Sequence, residues 1–226
     1  MEAHAWRERE TMADFTFYTN PMSRGRIARW ALHEAGADYE QQIVEYAPPE
    51  DRPEAFNQAN PMGKVPALVH HHGEHDHVVS EAAAICHYLA EMHPDAALLP
   101  EQHEKADYFR YLFFAAGPLE QAITAKNMGW DDGADPQQQR TTGFGSYDRT
   151  VDALETMLSG RNFVCGDRFT MADVYVGSQT IWGVEFDTLP KRDIFVAYAE
   201  RLTQRAKYRE AKKIDEDWAA QRAAQG

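Results

Sequence analysis

The residues with the most chemistry to offer fall in three short stretches. The first is Tyr18-Thr19-Asn20-Pro21-Met22-Ser23, which sets two candidate hydroxyls, Tyr18 and Ser23, either side of a proline turn. Ser23 stands where a helical pattern begins. A hydroxyl there either caps backbone N–H groups or donates to an anion held at the positive end of the helix dipole. The second stretch is Asn60-Pro61-Met62-Gly63-Lys64-Val65-Pro66. Proline lacks an N–H and drives the residue before it to extended geometry, so Val65 can leave both backbone groups to a guest that pairs as an added strand. Lys64 beside it is either a solvated charge or a partner for a carboxylate. The third stretch, Ser80-Glu81-Ala82, opens a second helix, where a carboxylate interacts favourably with the dipole even without a ligand.

Other reactive side chains point away from redox or metal chemistry. Only Cys86 and Cys165 occur, far apart and without Cys-x-x-Cys spacing, so neither a disulfide framework nor a thioredoxin-type redox motif is expected, and a reducing compartment fits. His70, His71, His72, His75 and His77 crowd around a turn near Gly73-Glu74. No single strand presents three of them with an outer shell, so they read as solvated hairpin side chains and no metal is expected. With 23 Lys and Arg against 36 Asp and Glu, the net charge of −13 disfavours nucleic acid and anionic membrane surfaces as partners. Arg24, Arg26, Arg29 and Lys64 nevertheless supply local positive charge for a small anion.

The elements that must position these groups follow from periodicity. Phe15 to Thr19 alternates in period two and predicts a strand ending at Asn20-Pro21. After Ser23, Ile27, Trp30, Ala31 and Ala35 share one helical face, with Arg24, Arg26, Arg29 and His33 largely off it and Gly36 as the stop. A second strand is expected around Gln42-Ile43-Val44, and a short helix from Glu54. Pro66 opens an apolar run that turns near Gly73-Glu74 and returns to Ser80; a helix then carries Ala84, Ile85, Tyr88, Leu89 and Met92 up to Pro94. After Leu98-Leu99-Pro100 the pattern is helical throughout. Gly117-Pro118 predicts a kink in a helix from Glu101 to Lys126, and Asn127 to Pro136 reads as a loop. Thr170 and Asp173 form an acidic variant of the capping box before a further helix, which is a folding device.

The Asn-Pro, Gly-Lys-Val-Pro and glutamate-started helix resemble the amino-terminal domain of cytosolic glutathione transferases. The Gly166-Asp167, Thr170, Ala172-Asp173 run resembles the buried capping-box helix of that family's second domain. The resemblance spans about residues 14 to 215. It implies a thioredoxin-like α/β domain followed by an all-α domain, with these bounds: a tail at 1–12, the glutathione-binding domain at 13–93, a linker at 94–100 and the helical domain at 101–226. It also implies a homodimer. The start lacks the apolar core of a signal peptide and no run approaches a membrane span, so the chain reads as cytoplasmic, without a membrane partner.

For the site, the resemblance implies that glutathione is the co-substrate. Val65 before Pro66 would hold its cysteinyl backbone and Glu81, with Ser80 and Ala82, its γ-glutamyl end. Asn20 and Lys64 would complete the pocket, Lys64 at the glycyl carboxylate, with Gln58 and Gly63 weaker candidates. Ala82 departs from the family, which usually carries serine there; one hydroxyl contact is missing, while the N–H groups at the helix start remain. Transfer needs a thiolate, and the activating hydroxyl would be Ser23, as in serine-type members, with Tyr18 the rival. Tyr108, Tyr111, Phe114 and Trp182 would line a pocket for a small hydrophobic electrophile or pack the core. The resemblance leaves open a binding or regulatory protein without activity, or a peroxidase, dehalogenase or isomerase using the same co-substrate.

Overall fold

The computed structural model of the chain describes residues 13–73, 75–130 and 135–224. The tail expected at 1–12, the turn residue Glu74 and the middle of the loop around 131–134 lie outside them. The described residues form two compact units. One runs up to Leu89 and takes in the residues from Glu210 onward; the other runs from Ala90 to Arg209. The helical domain expected at 101–226 therefore loses its last stretch to the first unit.

The first unit is built on a four-stranded sheet in the order β2-β1-β3-β4, with β1 at Phe15–Thr19, β2 at Tyr39–Ile43, β3 at Ala67–His72 and β4 at His75–Ser80. β1 runs parallel to β2 and antiparallel to β3, and β3 and β4 form an antiparallel hairpin. As a central strand β1 is buried on both faces. Phe15 and Phe17 share the face of Leu68 through the Phe15–His70 and Phe17–Leu68 register. Tyr18 points the other way, into a cluster with Val44, Phe56, Ala67 and Val69. The second strand starts earlier than its sequence suggested: Tyr-Glu-Gln-Gln-Ile is an exposed edge whose alternation is weak.

Helix α1, Gly25–Ala35, buries Ile27, Trp30, Ala31 and Leu32 and ends at Gly36 in the left-handed region (φ +69°), whose N–H donates to His33 O. A Cβ on Gly25 would lie 2.0 Å from Thr19 Oγ1, so only glycine lets the helix start this close to β1. A short α2, Glu54–Ala59, precedes β3, and α3, Ala82–Met92, follows β4.

One expectation about α1 fails. Arg29, read as lying off the apolar face, is 1% exposed. Its Nε donates to Asp215 Oδ1 at 2.9 Å and its Nη1 to the Tyr39 hydroxyl at 3.1 Å, and its guanidinium lies 5.3 Å from the Phe17 ring centre. It is therefore not available to a small anion. Asp215 belongs to the last helix of the chain. Two further pairs, His33 with Glu210 at 3.6 Å and Glu45 with Arg222 at 2.8 Å, run along the same segment, which explains why the residues from Glu210 join the first unit.

In the second unit α4, Lys105–Phe114, and α5, Glu120–Met128, are joined by a π-helical turn, Ala115–Leu119. The expected kink at Gly117-Pro118 is thus absorbed by a wider turn, which accommodates a residue that has no N–H to give. Four helices follow, α6 at Pro136–Thr141, α7 at Tyr147–Leu158, α8 at Met171–Glu185 and α9 at Asp193–Thr203; α10, Ala206–Ala223, comes after them and from Glu210 onward, Asp215 included, belongs to the first unit. α8 is buried along most of its length. Asp173 in its first turn accepts from Thr170 N–H at 2.8 Å, Val164 N–H at 2.7 Å and the Tyr198 hydroxyl at 2.8 Å. Burial nevertheless pushes its carboxyl up to about 6.

Candidate active site

The sheet topology decides where loops meet. β1 and β2 are parallel, so the chain leaves both at one end of the sheet, through Asn20–Ser23 and Val44–Tyr46 respectively. β3 is antiparallel to β1 and begins at that same end, just after Val65-Pro66. β4 returns to it, because Ser80 pairs with Ala67. Ser23, Val65 and Glu81, spread over 58 positions of sequence, are brought to one edge. Crevices beyond the carboxyl ends of strands are where open α/β sheets bind ligands.

A cleft of about 290 Å³ opens at this edge, lined among others by Ser23, Arg24, Tyr46, Arg52, Lys64 and Val65. The Val65–Pro66 peptide is cis. Among the described residues neither backbone group of Val65 has a hydrogen-bond partner, as a site for an extended guest requires. Behind it, Asn60 is 4% exposed and its amide donates to Lys64 O at 2.7 Å, holding the loop in place. Lys64 itself is exposed and without an ion-pair partner among the described residues.

Ser23 lies two residues ahead of α1 instead of capping it directly. Its hydroxyl donates to Asn20 O at 2.6 Å and accepts from Gly25 N–H at 2.9 Å. The backbone N–H pulls electron density from the oxygen and strengthens its proton as a donor. Turning the proton from Asn20 O to a bound anion needs rotation about one bond. Asn20 itself is 2% exposed; its amide donates to Val44 O at 3.0 Å and its carbonyl oxygen accepts from Met22 N–H at 2.9 Å. It shapes the turn that carries Ser23 and offers little surface to a ligand. Tyr18 is 8% exposed, with its ring 5.5 Å from Phe56, and burial raises its phenol above the ordinary value. It sits in the apolar cluster and not among the residues lining the cleft.

Glu81 is exposed, with φ +67°, a left-handed conformation that a residue with a Cβ adopts at a cost of about 1–2 kcal/mol. It lies just outside α3, not in its first turn, and its carbonyl accepts from Ile85 N–H at 2.9 Å. Ser80 is the last residue of β4, and Ala82, the first of α3, is 7% exposed. Strain of this kind concentrates at ligand-holding positions.

Two cleft residues escaped the sequence reading. Arg52 donates from Nε to Ala47 O at 2.6 Å and from Nη1 to Gly63 O at 3.0 Å, clamping two loops. Gly63 has φ +61° and a Cβ there would meet Arg52 Nη1 at 2.4 Å, so the clamp requires glycine. Tyr46 reaches across the cleft to donate to Met22 O at 3.0 Å. The signal for Arg52 was a lone cation inside a proline-rich break, and no local pattern distinguishes it from a solvated one. Gln58 is exposed on α2, and its side-chain amide donates to Glu54 Oε1 at 3.0 Å.

The expected hydrophobic pocket needs correction. Tyr108 is 0% and Tyr111 2% exposed, so both pack the core of the second unit and present no surface to a co-substrate. Tyr111 lies beneath the guanidinium of Arg161 at 5.4 Å from its ring centre. Phe114 and Trp182 are half-buried and keep some surface.

The chain matches two family models, the glutathione S-transferase N-terminal domain over residues 22–92 and the glutathione S-transferase C-terminal domain over residues 137–218. It is 29% identical over 172 residues to glutathione S-transferase 1 of Schizosaccharomyces pombe, covering 72% of this chain and 73% of that one. It is 30% identical over 188 residues to a maleylacetoacetate isomerase of Pseudomonas aeruginosa, covering 78% and 85%. Among solved structures, a glutathione transferase from Methylococcus capsulatus superimposes with a TM-score of 0.71 at 25% identity, covering 89% of this chain and 98% of that one.

Proposed function

The chain belongs to the glutathione S-transferase family, and from that premise we propose that its sheet-edge cleft binds glutathione and ionises its thiol for attack on small electrophiles. The observation that carries this reading is that Ser23 and Val65, 42 positions apart, line one cleft, and that the backbone groups of Val65 have no hydrogen-bond partner among the described residues. Val65 N–H and C=O pair with the cysteinyl backbone. The strained Glu81 turns its carboxylate to the γ-glutamyl ammonium, and the N–H groups at the start of α3 receive the γ-glutamyl carboxylate without the hydroxyl that Ala82 lacks. Lys64, with Arg52 behind it, answers the glycyl carboxylate.

Ser23 then lets go of Asn20 O and donates to the sulfur. A hydrogen bond to a charged group contributes about 1.5–3 kcal/mol, which lowers the thiol by about one to two pKa units. The proton leaves to solvent. The thiolate pair forms a C–S bond to the electrophilic carbon, and the leaving group departs with the pair of the bond that breaks.

The isomerase relative favours a second reading, in which the thiolate adds to an unsaturated substrate and is later expelled, so that glutathione is required but not consumed. Calorimetric titration of glutathione at pH 7, in two buffers of different ionisation enthalpy, tests what both readings share. Binding with about a quarter to three quarters of a proton released is expected, the share that a thiol lowered from about 8.5 to about 6.5–7.5 gives up at pH 7, and release should fall in Ser23→Ala with binding kept. Absence of binding at millimolar glutathione, about −4 kcal/mol on the affinity scale, overturns the proposal. Measuring whether glutathione disappears in step with product then separates transfer from isomerisation.

A further inference from the structure

The β3–β4 hairpin carries an arrangement that neither the cleft nor the family match uses. Its register sets His70 opposite His77 and His72 opposite His75. Side chains alternate along a strand, so all four imidazoles project from one face of the sheet, while His71 and Asp76 pair on the other at 2.9 Å. Three ligands need not come from one strand when the partner strand supplies the third.

The rings are already close. His70 and His72 have centres 5.2 Å apart, and His72 and His77 6.3 Å. An ion bonded at about 2.1 Å to two imidazole nitrogens in tetrahedral geometry holds the ring centres about 5.2 Å apart. The first pair is at that spacing and the second is about 1 Å beyond it. As the side chains stand, no three His, Cys, Asp or Glu groups among the described residues are near enough to share an ion. The side chains of His72, His75 and His77 are exposed, though, and have no hydrogen-bond partner among the described residues, so a small rotation of their rings breaks no hydrogen bond there.

His70 is the fixed member. Its ring stacks on Phe15 at 4.4 Å, and its Nδ1 meets the Tyr88 hydroxyl of α3 at 2.8 Å. That leaves Nε2 as the coordinating atom. A polar partner on the other ring nitrogen is the outer-shell feature that orients metal-bound histidines.

We propose that His70, His72 and His77, with His75 beside the fourth position, form a binding site for a divalent transition metal of the imidazole-seeking class, such as Zn²⁺, Ni²⁺ or Co²⁺. The ion joins the edge strand β4 to β3 across the hairpin, and Tyr88 is the outer-shell group that holds His70. The proposal does not depend on glutathione binding, and the test is made without glutathione, whose thiol is itself a chelator.

The full chain is titrated with Co²⁺ and its ligand-field absorption followed, then Zn²⁺ is added to displace the cobalt. Saturation near one equivalent is expected, with the intense visible bands of a tetrahedral site that Zn²⁺ abolishes. The His72→Gln/His77→Gln variant changes only exposed side chains and should weaken binding at least tenfold, with the far-UV spectrum unchanged. Tyr88→Phe should weaken it by about 10–100-fold while leaving all the histidines in place. Co²⁺ uptake without the tetrahedral bands, or the same affinity in the double variant as in the parent chain, overturns the proposal.

Discussion

Breaking the buried pair between Arg29 and Asp215 should destabilise the first unit far more than the pair itself stabilises it. Both side chains are 1% exposed. At an effective dielectric of about 20, opposite charges about 4 Å apart attract by about 4 kcal/mol. Removing each ion from water costs several kcal/mol, so attraction alone does not offset the loss. Two atoms worsen the balance: Arg29 Nη2 and Asp215 Oδ2 are buried without hydrogen-bond partners. In agreement, burial holds the Asp215 carboxyl above its ordinary value even with Arg29 beside it. Replacing both residues, as Arg29→Met with Asp215→Leu, should therefore leave stability unchanged or raise it by about 1–4 kcal/mol. Either single change should cost about 3–5 kcal/mol at pH 7, because it strands a charge. The singles should part company in acid. Asp215 stranded by Arg29→Met can take up a proton, so that variant's deficit shrinks as pH falls to 5. The guanidinium stranded by Asp215→Leu cannot lose its charge, and its deficit persists. Urea unfolding followed by far-UV circular dichroism at pH 7 and pH 5 reads all four proteins. Single variants within about 0.5 kcal/mol of the parent, the range of surface substitutions, would refute the reasoning. So would a double variant as unstable as the two singles added together.

Three further outcomes are expected. Ser23→Ala should lower turnover of a halodinitrobenzene with glutathione by about 10–100-fold, the rate equivalent of 1.5–3 kcal/mol, and equal turnover would remove Ser23 from the mechanism. Glu81→Gly should relieve the left-handed strain and gain up to about 1 kcal/mol in thermal unfolding, yet weaken glutathione in calorimetry; a variant that gains stability and binds equally well would separate the strain from the ligand. Asp173, raised by burial from 3.8 to about 6, binds its proton more readily in the folded state. The stability this confers is present below about pH 4 and lost as pH rises through 6, a swing of about 3 kcal/mol. The gap between the parent and Asp173→Asn in urea unfolding should accordingly be wider at pH 4.5 than at pH 7, and a gap that does not vary with pH contradicts the assignment.

How legible each element was depends on whether its cause is local. β1, α1 and the hairpin are written in periodicities of two and 3.6 that bury one face or both, and their stops at Gly36 and near Gly73 need only the backbone freedom of glycine. The Thr170–Asp173 motif reads correctly because both partners lie within one turn. β2 was displaced because an exposed edge places little demand on alternation. Tyr108 and Tyr111 were open to either reading because an aromatic stripe looks the same whether it faces a pocket or a neighbouring helix, and burial settles it against the pocket. Arg29 was misplaced because a helical stripe counts every arginine as solvent-facing, and its partner stands 186 positions away.

That last failure bears on how the site is held. Ser23, Lys64 and Val65, each part of a sequence motif, line the cleft, but the helix that follows Ser23 is not fastened by those motifs alone. Arg29 sits on α1, one turn beyond Gly25, and Gly25 N–H donates to the Ser23 hydroxyl. Asp215 grips Arg29 at 2.9 Å, Arg26 of the same helix stands 4.0 Å from the other carboxylate oxygen, and His33 closes on Glu210. The start of α1 is thus held on one side by its contact with Thr19 and on the other by the final helix of the chain. A loosened Asp215 should then reach Ser23 through a single helical turn. In the Asp215→Leu variant, proton release on glutathione binding should fall before binding is lost, because the backbone of Val65 lies on a loop that the final helix does not touch through any of these pairs.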